Sequence, residues 1–251
     1  MKGTIIMKKK IIALCLIVAL AATAVVGGTL AYFTDIDSAD NTFVTGDVKI
    51  DLIENFGDND PATPEKLLPA TGSAQDGTLE NGIVKEVSVK NTGSEDAYVR
   101  VHIAIPSILD NGNPDFDAGK NNLHFNYDRD SVGEGKWDWS KTAGAVYEGD
   151  WNYYETTVGN VKYNVYVVTY GTALKANEET PYDAMSQVYL DKNTSNEAIE
   201  SYKEALGDNW HILVVAEGAQ AAGFDDAYEA LNTAFGVPGA YEVDFTGAVK
   251  Q

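Results

Sequence analysis

His102, His124 and His211 are the only imidazoles in the 251-residue chain. Catalytic zinc usually takes three protein ligands, often two histidines one helical turn apart with a glutamate between them. Here the histidines are far apart in sequence and none lies in an HExxH run, so a zinc peptidase would need three scattered rings to converge in space. No GxSxG turn is present to expose a serine nucleophile. The single cysteine, Cys15, lies in an apolar run near the N-terminus, which leaves the rest of the chain without thiol chemistry and without disulfides. Carboxylates number 38, enough for close pairs to arise by chance. Glu134, beside an aromatic cluster, is where a glycosidase acid could sit, with nothing else to single it out.

Two segments have the composition of binding sites. Asp110, Asn111, Asn113, Asp115 and Asp117 place oxygen ligands along one loop broken by Gly112 and Pro114. Hard oxygen donors on a flexible loop are what calcium accepts. The spacing is not that of an EF-hand, and ordinary turns share the composition. Trp137, Trp139, Trp151, Tyr153 and Tyr154 form an aromatic run whose flat faces suit carbohydrate rings. Packing of that stretch onto itself would use the same residues.

The elements that must carry these residues alternate with period two, the mark of half-buried strands. Val48, Ile50 and Leu52 form one apolar face, and Ile83, Val87 and Val89 another, interrupted by Lys85. Val99, Val101, Ile103 and Ile105 oppose Arg100 and His102. Further strands are expected at 161–167, at 212–216, and at Tyr241, Val243 and Phe245. Helices are expected over 196–206, closed by Gly207, and over 224–235, closed by Gly236 and Pro238. Six strands with turns between them predict a mainly β fold, a jelly-roll-like two-sheet sandwich with two short helices. Residues 106–160 are rich in Gly, Asn, Asp and aromatics without a simple period, and read as a long loop-rich insertion at one end of the sandwich. Residues 58–82 read as a second loop. No internal repeat is apparent, which speaks against a solenoid or propeller.

The net charge of −20 is lowered further by position. All basic residues of the first 31 precede Ile11, and without them 14 basic residues face 38 acidic ones, a charge near −24. Such a surface repels nucleic acid and anionic lipid, so no nucleic-acid partner is expected.

The N-terminus has the order of a secretory signal peptide: Lys8 to Lys10, an apolar run from Ile11 to Val26, then small residues. The run is shorter than the ~20 residues a spanning helix needs. Thr29 and Ala31 occupy the minus three and minus one positions of a cleavage before Tyr32. The expected organisation is a signal peptide at 1–31 and one β-sandwich domain at 32–251. The segment FTGAVKQ carries no sorting motif, so retention at a surface is expected to depend on assembly or on an uncleaved leader.

The stretch from Gly27 to Leu52 also carries a family pattern. Gly27, Gly28, Thr29, Ala31, Phe33, Thr34 and Asp35, followed by Ser38, Phe43, Gly46, Val48, Ile50 and Leu52, resemble the SipW-type junction that precedes proteins of the TasA/camelysin family. Lys90 to Pro106 and Val214 to Phe235 resemble two softer blocks of the same group. The resemblance implies a dedicated SipW-like signal peptidase as a partner and a secreted product of a Gram-positive bacterium, in the extracellular matrix or at the cell surface. It implies biofilm-matrix fibres, in which the extended N-terminus of one copy completes a sheet of the next. Tyr32, Phe33, Thr34, Ile36 and Ser38 are the donor-strand residues on that reading, and other copies of the chain are the partners. The camelysin branch implies a metal-dependent endopeptidase instead. A carbohydrate-binding adhesin, with matrix polysaccharide as partner, is the third reading, and no cofactor other than calcium is expected.

Overall fold

The computed structural model describes residues 34–36, 47–57, 67–71, 80–110, 123–126, 136–139, 153–207 and 210–250. These form ten strands in two antiparallel sheets. The strands are β1 (Thr34–Ile36), β2 (Ile50–Asn55), β3 (Ile83–Asn91), β4 (Ala97–Pro106), β5 (Leu123–Asn126), β6 (Trp137–Asp138), β7 (Tyr153–Val158), β8 (Val161–Tyr170), β9 (Met185–Leu190) and β10 (Leu213–Gln220). Helix α1 spans Asn196–Leu206 and α2 spans Ala227–Phe235.

The larger sheet runs β1-β10-β4-β8, with β6 and β7 sharing the far side of β8. The smaller runs β2-β3-β9-β5. The first strand lies beside the last, β3 beside β9, and β4 between β8 and β10. Each of these neighbours is far away in the chain, and that nesting is the jelly-roll arrangement. The expected insertion is less separate than its sequence suggested. Its described parts join both sheets: β5 pairs with β9, and β6 and β7 pair with β8. Gly159 opens the two-residue turn between β7 and β8 at φ +61°, where a side chain would be strained.

The core between the sheets uses the faces that alternation marks. Val99, Val101, Ile103 and Ile105 of β4 meet Ile50, Val87 and Val89 of the smaller sheet, all essentially without solvent exposure. Each such side chain contributes about 1.5–3 kcal/mol by leaving water. Gly218 of β10 faces Ile50 of the smaller sheet with no room for a side chain, because a Cβ there would stand 2.8 Å from Ile50 Cγ2.

One expected strand is not one. Tyr241, Val243 and Phe245 alternate as predicted, and Val243 and Phe245 are buried, but the segment joins no ladder. It follows α2 as an extended strap over the outer face of the larger sheet, packing on Ala104, Val165, Leu213 and Val215. A period of two reports an extended chain with one buried face, and side chains alone can bury that face. The strap explains why β4 and β8 are buried on both sides.

Candidate functional site

The most concentrated chemistry lies under that strap. Alternation on β4 turns Arg100 and His102 to the outer face, and the β10 register sets Glu217 directly opposite Arg100. His102 and Glu217 are wholly buried and Arg100 is 2% exposed. Arg100 Nε donates to Glu217 Oε2 at 2.6 Å. Its other nitrogens donate to Asn232 Oδ1 of α2 (2.9 Å), to the Gly236 carbonyl (3.1 Å) and to the Tyr241 hydroxyl (2.7 Å). The guanidinium also lies 5.6 Å from the Phe235 ring centroid and 5.7 Å from that of Tyr241. The Tyr241 hydroxyl in turn donates to the Glu217 carboxylate, 2.7 and 2.8 Å from its two oxygens.

His102 completes the circuit. Its Nε2 is 3.1 Å from Glu217 Oε2, and its Nδ1 is 3.1 Å from the Tyr154 hydroxyl of β7. A carboxylate cannot donate, so the tautomer follows from the partners: Nε2–H donates to Glu217 and Nδ1 accepts from Tyr154. Burial disfavours the imidazolium and holds the His102 pKa below 6.5, against the opposing pull of Glu217. Burial alone would raise Glu217, but the hydrogen bond and attraction from His102, the charge of Arg100 and the Tyr241 hydrogen bond outweigh it and hold the carboxyl at about 2. Burial chiefly pushes the Tyr154 and Tyr241 hydroxyls up, so both remain protonated donors. The result is one cation, one anion and three neutral groups with their hydrogen bonds matched.

Such a cluster is poorly suited to catalysis. A general base needs a free lone pair within reach of substrate, and both His102 nitrogens are engaged out of solvent. The same applies to zinc: Glu217 already accepts from three side chains, and both imidazole nitrogens have partners. Among the described residues no three of His, Cys, Asp and Glu are grouped to hold a metal ion. His211 is exposed at the approach to β10, and the His124 side chain lies outside the described residues. The described residues therefore do not fit a zinc centre.

The remaining candidates separate. Asp110 is buried, its Oδ2 accepting from the Tyr166 hydroxyl at 2.7 Å and its carbonyl from Asn164 Nδ2 at 2.6 Å. It fastens the end of β4 to β8, while Asn111, Asn113, Asp115 and Asp117 lie outside the described residues. Trp137 is wholly buried, donates from Nε1 to the Tyr182 carbonyl at 2.7 Å and sits edge-on to Tyr170. Trp139 is nearly as buried, tilted against Tyr166. Neither ring presents a face to solvent, so neither can stack on a sugar. Tyr153 is half-buried against Tyr166, and Trp151 and Glu134 lie outside the described residues. So do Thr29, Ala31, Tyr32, Phe33 and Ser38.

Thr34 and Ile36 are in β1, at the edge of the larger sheet, where Thr34 registers with Ala219 and Ile36 with Glu217. The charged circuit itself escapes a motif search because His102 and Glu217 are 115 residues apart. Its trace in the sequence is a lone acid in the apolar run VVAEGA and a lone Arg-x-His pair in VRVHIAI.

Comparison with known proteins agrees with the N-terminal pattern. Residues 6–59, roughly a fifth of the chain, match the family model described as camelysin metallo-endopeptidase. No curated protein and no solved structure matches the chain. Over this N-terminal segment the chain is similar to the camelysin family, as its junction pattern led us to expect.

Proposed function

We propose that the chain is a secreted structural protein of the biofilm matrix or cell surface, assembling head to tail by giving its first strand to the β10 edge of the next copy. The observation that carries this reading is the position of β1. Three residues, Thr34–Ile36, hold the edge of the larger sheet, paired with β10. So short a pairing has few backbone bonds to lose, and the strand lies just past the expected cleavage before Tyr32. An open sheet edge offers unpaired N–H and C=O groups, and an equivalent strand from a neighbour satisfies them equally well. A contact of that kind does not close on itself and therefore grows a filament.

The endopeptidase reading is favoured by the description of the matching family. The geometry of the described residues works against it, since the one histidine they bury is engaged at both nitrogens. The adhesin reading keeps Trp151 and Tyr153 as stacking candidates.

Negative-stain microscopy of protein starting at Tyr32, beside protein starting at Gly46, tests the proposal. Filaments from the longer form alone are expected. Monodisperse particles from both, with peptide cleavage that depends on added zinc, would replace assembly by the endopeptidase.

A further inference from the structure

The strap has an unusual attachment. Among the described residues, the main-chain hydrogen bonds of 225–248 close within the segment, as from Gly236 to Asn232, Ala240 to Val237 and Ala248 to Phe245. Its hold on the larger sheet comes from side chains. Val243 and Phe245 pack on the outer face, Tyr228 donates to Asp138 Oδ2 at 2.7 Å, and Asn232, the Gly236 carbonyl and Tyr241 converge on Arg100 and Glu217. Elements lacking ladder bonds open at lower free energy than the sheet beneath them.

We propose that residues 225–248, α2 together with the strap that follows it, lift as one acid-releasable unit, with His102, sealed beneath Tyr241, as the group that takes up a proton when the unit opens. The ring of Tyr241 stands edge-on over His102, with centroids 6.4 Å apart, and Tyr154 closes the other side at 5.9 Å. The groups facing His102 are Glu217 from β10, Arg100 from its own strand, Tyr154 from β7 and Tyr241 from the strap, while β8 sets Val167 opposite it in register. Beneath the closed strap the ring is wholly buried, and that burial disfavours a second proton on it. With the strap lifted, the ring meets water and titrates near 6.5.

The sign follows by linkage. The closed form binds fewer protons at His102 than the open one, so closure is favoured above pH 6.5 and weakens as pH falls through it. One proton per opening event gives an increase in the opening constant of up to about tenfold between pH 7.5 and 5.5.

Hydrogen exchange read by mass spectrometry on the full chain tests this, after correction for the intrinsic pH dependence of amide exchange. The strap amides of α2 and 240–248 are expected to lose protection at pH 5.5, up to about tenfold relative to pH 7.5, while β4, β8 and β10 remain protected. Tyr241→Phe should raise strap exchange at pH 7.5 with the sheet unchanged, and His102→Asn should flatten the pH response between 7.5 and 5.5. Strap and sheet exchanging together at every pH would overturn the proposal, as would a pH response that survives in His102→Asn. Tyr241→Phe indistinguishable from the parent would remove the fastening role of the cluster.

Discussion

Glu217→Gln is the substitution that most directly probes the buried circuit. It keeps the shape of the side chain and removes the only negative charge described around Arg100, a cation 2% exposed. Breaking a buried pair from one side costs about 3–5 kcal/mol, because the remaining charge is left uncompensated. A separate route gives a similar size. The Glu217 carboxyl is held at about 2 against an ordinary value of 4.5, and at ~1.4 kcal/mol per unit this stabilises the folded state by about 3 kcal/mol at neutral pH. Because the folded value is the lower one, the contribution is complete above pH 4.5 and is lost as pH falls from 4.5 towards 2. Urea unfolding of parent and variant at pH 7, 5.5 and 3 measures both effects. The variant should be about 3–5 kcal/mol less stable at pH 7, with the gap narrowing by about 2 kcal/mol between pH 5.5 and 3. A gap under about 0.5 kcal/mol at pH 7, or one independent of pH, would refute the reasoning.

Gly218→Ala should cost about 1–3 kcal/mol in thermal unfolding, because its methyl would meet Ile50 Cγ2. In an Ile50→Ala background the same change should cost less than about 0.5 kcal/mol, the coupling expected of residues in contact. Asp110→Ala removes the carboxylate that accepts from the Tyr166 hydroxyl, while Asn164 keeps its bond to the residue-110 carbonyl, and should cost about 1–3 kcal/mol. That cost should be equal in calcium and in chelator, and a calcium-dependent cost would mean that the Asp110 loop binds the ion. Asp226→Ala removes the cap whose Oδ1 accepts from the Glu229 N–H at 2.8 Å, and should lower stability by about 1 kcal/mol.

What the chain reveals before folding divides along physical lines. Strands β3, β4, β8 and β10 are legible because apolar residues recur at alternate positions along most of each, although β4, β8 and β10 are buried on both faces. Helix α2 is legible because Ala227, Ala230 and Leu231 share one side, between the Asp226 cap and Gly236. Strand β9 is not, since MSQVYL buries Met185, Val188 and Leu190 at a spacing that breaks the alternation. The Tyr241–Phe245 stretch misleads for the reason already given. Sequence left the Trp137 and Trp139 run open between sugar stacking and packing within its own polar, glycine-rich stretch; β6 instead pairs with β8, and both rings join the main core. Buried polar circuits are the hardest to foresee. Residue type marks Arg100, His102 and Glu217 as out of place on apolar strands, but only the β4–β10 register and the returning strap show that they meet.

The central claim is that β1 completes a sheet in a neighbouring copy, and a disulfide across the register pair Thr34–Ala219 tests it most directly. Antiparallel partners stand within disulfide reach, and after cleavage before Tyr32 the chain carries no other thiol. Thr34→Cys with Ala219→Cys, expressed with its leader and oxidised after assembly, should run on a non-reducing gel as a ladder of linked copies that collapses to monomer on reduction. A bond that closes only within single chains, in material that remains monomeric, would contradict the account and make β1 an ordinary strand of its own subunit.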